Sequence, residues 1–173
     1  NMIQDHLERG IATLIAGQPL IFPTDTVYGL GVAVGIVESP TVLYDIKERD
    51  HGKPVAWLVA NPESLNLYGK DVPDYAFTLA TLFLPGPLTI VVRADTKVRE
   101  SFRADDGTIA LRMPDNEFAL QLIERTGVPL ATTSANISGG EPPSAFEEID
   151  LRLLEKVTVA LRDDGKRTGI AST

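Results

Sequence analysis

Between Leu84 and Arg112 the chain places two apolar runs, 88–92 and 108–113, with only a polar, charged stretch, 95–107, between them. Both runs have strand character, the first rich in β-branched residues. No helical segment separates them, so this part of the chain does not follow the strand–helix–strand repeat of an all-parallel sheet. Elsewhere strands and helices alternate. The sequence therefore predicts an α/β domain with a mixed sheet, parallel and antiparallel.

The remaining elements follow from periodicity and punctuation. Residues 5–16 read as a helix, with Leu7, Ile11, Leu14 and Ile15 at helical spacing and Gly17 to stop it. The run 19–23 begins a buried strand between prolines, then enters a loop with Gly29 and Gly31; whether 27–34 makes a second strand is open. Ser39-Pro40 starts a helix with Val42, Leu43 and Ile46 inward. It runs into the charged stretch 47–54, closed by Gly52 and Pro54, and residues 55–59 form a strand. Asn61-Pro62 opens a short helix. Residues 74–84 form another, with Phe77, Leu79 or Ala80, and Phe83 inward, broken by Pro85-Gly86-Pro87. Asp115 caps a helix that reaches Arg125 and ends at Gly127. A strand over 129–132, a helix over 147–155, a strand over 157–161 and a polar tail, 162–173, complete the chain.

A length of 173 residues fits a single domain that buries roughly 70% of its extended-chain surface. The absence of cysteine excludes disulfides, thiolate nucleophiles and zinc–thiolate sites, and fits a reducing, cytoplasmic setting. The net charge of −8 disfavours broad affinity for nucleic acid. No apolar run approaches the roughly 18 residues of a membrane span, and the start has neither a basic region nor an apolar core of the kind secretory signals carry. Asn1 before Met2 reads as a cloning scar.

Three clusters could carry chemistry. Lys47 and Arg49 are two apart, opposed on a helix but on one side of an extended segment; if the helix ends by Glu48, they converge with Lys53 on an anion, most naturally a polyphosphate. A solvated helix end is the plainer reading. Ser134 and Asn136 show the same spacing after the strand at 129–132, and their hydroxyl and amide suit a ribose or phosphate, with Gly139-Gly140 allowing close backbone approach. The alternative is an ordinary strand exit. Thr24-Asp25-Thr26 offers two hydroxyls and a carboxylate, or an Asx turn. Arg112 suits a ligand carboxylate, or a surface ion pair. No Walker A, G-x-G-x-x-G or G-x-S-x-G sequence is present, and a dedicated protein metal site is not expected.

Five segments in order resemble one family: Phe22-Pro23-Thr24-Asp25-Thr26-Val27-Tyr28-Gly29-Leu30-Gly31, Lys47-Glu48-Arg49 with Lys53-Pro54, Pro85-Gly86-Pro87-Leu88-Thr89, Ala110-Leu111-Arg112-Met113-Pro114, and Thr133-Ser134-Ala135-Asn136-Ile137-Ser138-Gly139. They are similar to the motifs of the YrdC/Sua5 threonylcarbamoyl-AMP synthases of the short, single-domain bacterial kind. The resemblance implies a YrdC-like twisted mixed sheet with flanking helices around a large, positively charged cavity. It implies condensation of L-threonine, bicarbonate or CO₂, and ATP to threonylcarbamoyl-adenylate and pyrophosphate, with Mg²⁺ carried by the phosphates. A threonylcarbamoyl transferase complex would be the downstream partner, acting on adenosine 37 of tRNA, with possible direct tRNA contact and no membrane. By resemblance Lys47 and Arg49 are catalytic and bind ATP with Lys53, Ser134, Asn136 and Ser172, while Thr24, Thr26 and Arg112 bind threonine. Val27, Tyr28 and Leu30 would exclude water.

The family pattern continues beyond Ser-Thr into a final strand, whereas this sequence stops at Ser172-Thr173; it is either clipped or lacks that strand. Two other functions remain at this point: an RNA- or ribosome-binding module, and a carbamoyl-adenylate-forming domain related to hydrogenase-maturation proteins. Lys47 and Arg49 are expected at an open cleft, so that replacing either should cost turnover and little stability.

Overall fold

Seven strands form one sheet in a computed structural model of the chain, which describes residues 1–48, 55–163, 165 and 167–173. The strands are β1 (Leu20–Phe22), β2 (Gly29–Ala33), β3 (Ala56–Leu58), β4 (Ile90–Arg93), β5 (Thr108–Arg112), β6 (Leu130–Ser134) and β7 (Val159–Ala160), in the order β4-β5-β3-β6-β2-β1-β7. β1 pairs with β7, and β3 with β5, in parallel; the other four pairings are antiparallel. The sheet is mixed, as expected. The two successive strands that forced that expectation, β4 and β5, are an antiparallel pair with Ile90 opposite Leu111. The open question at 27–34 is resolved by β2, which folds back on β1 with Phe22 opposite Gly29. Thr24, Asp25 and Thr26 thus lie in the connection of a hairpin.

Helices cover both faces, and strand alternation assigns the core residues between them. Leu20 and Phe22 pack with Leu7, Ile11 and Leu14 of α1 (Met2–Ile15) and with Leu122 and Ile123 of α5 (Glu117–Thr126). Ile21 points the other way, into a larger core with Leu43 and Ile46 of α2 (Thr41–Lys47), Leu65 of α3 (Ser64–Tyr68), Ala76 and Ala80 of α4 (Asp74–Phe83), and Leu153 of α6 (Leu151–Leu154). Trp57 centres that core, with Tyr68 and Phe102 edge-on to its ring at 5.2 and 5.8 Å.

Several local expectations shift. The cap of α5 is Asn116, whose side chain accepts from Ala119 N at 2.9 Å; Asp115 lies one residue too early. Gly127 does end that helix, in the left-handed region at φ 84°. Phe83, expected inward, is 52% exposed, because the buried stripe of α4 is the pair Ala76 and Ala80, one turn apart. Ile15 is likewise exposed at the end of α1. Pro40, not Ser39, occupies the cap position of α2; the Ser39 hydroxyl instead meets that of Thr41 at 2.9 Å. The helix expected over 147–155 is split into a 3-10 turn at Phe146–Glu148 and the short α6, which Asp150 caps through Arg152 N at 2.8 Å. The strand expected to stop at Thr132 continues to Ser134, because β2 pairs with it along its whole length, Gly29 opposite Ser134 and Ala33 opposite Leu130. No helix of the described residues is long and apolar enough to cross a membrane.

Candidate active site

Small residues open a depression in the face of the sheet that α1 and α5 cover further along. On this face β2 presents Gly29 and Gly31, β3 presents Ala56 and Leu58, and β6 presents Thr132 and Ser134. A Cβ on Gly31 would lie 2.9 Å from Thr132 Cγ2 and 3.2 Å from the Ala131 carbonyl, so only glycine lets the strands pack here. The result is a cleft of about 160 Å³ whose walls also include Thr24, Thr26, Val27, Arg112, Ala171 and Ser172.

One wall is built around Lys47. It is the last residue of α2, and Glu48 beyond it adopts the left-handed conformation, φ 56° and ψ 43°, which ends the helix. The helix thus stops where the charged run suggested, but Lys47 is not in an open cleft. It is 3% exposed, and Nζ donates to Ser134 O at 2.7 Å, Thr133 Oγ1 at 3.0 Å, Asn136 Oδ1 at 3.1 Å and Ser134 Oγ at 3.3 Å. Four neutral oxygens fix the ammonium at the end of β6. Arg49 and Lys53 lie outside the described residues.

Ser134 and Asn136 do project together, as their spacing implied. The Ser134 hydroxyl donates to Asn136 Oδ1, and the Asn136 amide donates to Gly140 O at 2.8 Å and Ile137 O at 3.1 Å. The Gly139-Gly140 pair therefore closes a turn that holds Asn136; Gly140 N bonds to Ile137 O at 2.8 Å. Ser138 N bonds to Lys47 O at 2.9 Å, which ties this loop to the helix end.

The opposite wall joins the hairpin loop to β5. Thr24 and Thr26 are buried, with their hydroxyls 3.2 Å apart, and Thr24 Oγ1 donates to Val27 O at 2.6 Å. Arg112, 5% exposed at the end of β5, donates from Nη2 to Thr26 Oγ1 at 3.3 Å and from Nη1 to Asp25 Oδ1 at 2.7 Å and Gly86 O at 3.2 Å. The structure thus brings Thr24, Thr26 and Arg112 together, with Asp25 as the arginine's carboxylate partner.

The C-terminal residues are the part that periodicity missed. Thr168 N and Gly169 N bond to the carbonyls of Asp25 and Thr26 at 3.2 and 3.0 Å; Thr173 pairs with Pro87 and Thr89 at 2.9 and 2.8 Å. Residues 168–173 form a strap from the hairpin loop to the Pro87–Thr89 edge, and the Ser172 hydroxyl lies 2.6 Å from that of Thr89 beside the cleft. Tyr28 anchors the neighbouring loops: its N–H bonds to Pro143 O at 2.8 Å and its carbonyl accepts from Ala135 N at 2.9 Å. Burial pushes its phenol above the ordinary value of 10.0, so it stays neutral at physiological pH. Of the three residues expected to exclude water, only Val27 lines the cleft; Tyr28 and Leu30 are buried in the larger core because they alternate to its side of the chain. Among the described residues no cluster of His, Cys, Asp or Glu could hold a metal ion.

Comparison with known proteins gives concordant matches. The family model described as "Telomere recombination" (Sua5, YciO, YrdC) matches residues 12–173. The threonylcarbamoyl-AMP synthase of Pyrococcus abyssi is 34% identical over 157 residues, 91% of this chain and 46% of the relative. That of Bacillus subtilis is 33% identical over 166 residues, 95% of this chain and 47% of the relative. The chain thus spans about half the length of these two relatives. The crystal structure of P. abyssi Sua5 complexed with L-threonine superposes with a TM-score of 0.90 at 32% identity, over 96% of this chain and 49% of that one. With the mixed sheet, the ordered motifs and a family match over nearly its whole length, the chain belongs to the Sua5/YciO/YrdC family.

Proposed function

We propose that the chain is a threonylcarbamoyl-AMP synthase. One observation carries the reading: a single cleft is walled on one side by Ser134, with Lys47 bonded to it, and on the other by Thr24, Thr26 and Arg112. This supports a reading in which groups suited to phosphate and groups suited to an amino acid serve the same volume. The P. abyssi relative, crystallised with L-threonine, supports the identity of the amino acid.

In this reading the threonine amine attacks CO₂, supplied from bicarbonate, and loses a proton to give a carbamate. A carbamate oxygen attacks the α-phosphorus of ATP, the bond to the β-phosphate oxygen breaks, and pyrophosphate leaves with the electron pair. No covalent enzyme intermediate is required. The chain has to hold two anionic reactants in line and compensate the charge that develops on the phosphates. Lys47, fixed by its neutral acceptors, supplies a preorganised positive charge; Arg49 and Lys53 add to it by family resemblance. Ser134, Asn136 and Ser172 supply polar groups on the nucleotide side. Arg112 takes the threonine carboxylate, and Thr24 and Thr26 bind its polar groups. Mg²⁺ arrives on the phosphates as part of the substrate, its ligands drawn from them. The product serves a transferase that modifies tRNA in the cytoplasm.

The test is pyrophosphate release with ATP, Mg²⁺, bicarbonate and each amino acid in turn. Release that requires both threonine and bicarbonate is expected. Release with carbamoyl phosphate in place of both assigns the chain to carbamoyl-adenylate formation, and no release with any substrate overturns the enzyme reading. Thr26→Val discriminates within the site. It removes the hydroxyl that accepts from Arg112, so the KM for threonine is expected to rise about tenfold or more while that for ATP changes little. Equal changes in both would remove Thr26 from the threonine side.

A further inference from the structure

Arg167 carries a buried charge that the proposed reaction does not use. Its side chain is 3% exposed. Nη1 lies 2.7 Å from Asp163 Oδ1, Nε donates to Ser144 O at 2.8 Å, Nη2 donates to Gly165 O at 3.0 Å, and the guanidinium sits 4.4 Å above the ring of Tyr28. These partners tie Arg167's own segment to two others, each continuing from a wall of the cleft. Tyr28 follows the Thr24–Thr26 loop, and Ser144 follows the loop that carries Ser134 and Asn136. Arg167 itself immediately precedes the strap.

We propose that Arg167 is a positioning residue that clamps the strap, and through it holds Ala171 and Ser172 in place beside the cleft. The strap needs such a clamp because its other ties are a few backbone hydrogen bonds at its ends and the exposed hydroxyl contact of Ser172 with Thr89, and Ile170 and its neighbours are exposed. Short exposed segments of this kind open locally at low cost unless a buried interaction holds them. Arg167 provides that interaction through stacking and a charge-assisted contact, both of which gain strength away from water. The side chain is committed to Asp163, Ser144 and Tyr28, so its action on any bound phosphate is indirect. The consequence for ATP rests on the synthase reading; the clamp itself does not.

Arg167→Met keeps an unbranched chain over Tyr28 and removes the charge and the donors. Hydrogen exchange at the amides of Thr168, Gly169 and Thr173 is expected to quicken about ten- to hundredfold, while amides of β2 and β6 keep wild-type rates. The KM for ATP is expected to rise about tenfold with a smaller change in kcat. Asp163→Asn, in a half-exposed position, should quicken the same three amides to a lesser degree, and it carries the test where Arg167→Met does not fold. Unchanged exchange at the three amides overturns the proposal. So does a uniform increase that extends through β2 and β6, which would make Arg167 a residue of general stability. A strap that loosens in the variant of a chain whose wild type shows no ATP turnover upholds the clamp and rejects the synthase reading.

Discussion

Lys47→Met is expected to lower threonine-dependent pyrophosphate release by about a thousandfold or more, and to lower stability measurably as well. The second effect reverses the expectation of an open-cleft lysine. Nζ sits among Ser134 O, Thr133 Oγ1, Asn136 Oδ1 and Ser134 Oγ, all within 3.3 Å. A thioether leaves those acceptors with fewer donors, which costs about 1–3 kcal/mol when the groups are buried. Some of that loss is absorbed locally, because Ser134 still donates to Asn136 and Asn136 N still donates to Ser134 O at 2.9 Å. Chemical denaturation measures the stability term. Kinetics taken well below the melting transition isolate the catalytic one. A purely structural lysine would regain wild-type kcat at low temperature, where the variant is fully folded. Recovery of that kind would remove Lys47 from the reaction. Lys47→Arg is not expected to rescue, because a planar fork cannot converge on four oxygens that a single ammonium reaches.

The lysine also shows where the sequence was readable and where it was not. The charged run and its Gly and Pro located the end of α2 correctly. What spacing could not show is that the backbone turns left-handed at Glu48, so Lys47 belongs to the helix and its ammonium is buried against the end of β6. Ser134 and Asn136 were legible because extended backbone places alternate side chains together, and the hydrogen bond between them is local. The partners of Arg112 were not, since Asp25 and Thr26 are 87 and 86 residues away along the chain. The same limit hid the strap. Residues 162–173 have neither helical nor alternating apolar pattern; residues 168–173 are held by backbone bonds to Asp25, Thr26, Pro87 and Thr89, with Arg167 on Tyr28 just before them. Periodicity reports burial of apolar stripes, and a segment held by nonlocal polar contacts gives it nothing to detect. Mixed pairing was legible from β4 and β5 for the converse reason, that the absence of an intervening helix is a property of the sequence itself.

Arg112→Lys is expected to raise the KM for threonine about a hundredfold and leave that for ATP within a few-fold. The guanidinium reaches Asp25, Gly86 O and Thr26 from two nitrogens, which a lysine's single nitrogen cannot reproduce. A carboxylate binding to Arg112 also meets Asp25, already 2.7 Å from Nη1, as a like charge. In the synthase reading Asp25 is expected to act on the substrate through the arginine, holding the fork in place while offsetting part of its charge. The two residues should behave as a unit. Asp25→Asn alone is expected to change the threonine KM, whereas in the Arg112→Lys background it should add little, with a coupling of about 1 kcal/mol or more. Additive effects would mean that Asp25 contacts threonine independently. Stability separates the same alternatives: Arg112→Met leaves a mostly buried carboxylate without its cation and should cost about 3 kcal/mol, most of which Asp25→Asn should restore by neutralising the stranded charge. Failure of that second substitution to restore stability would show that the arginine's packing and its bonds to Thr26 and Gly86, rather than its charge, hold this wall of the cleft together.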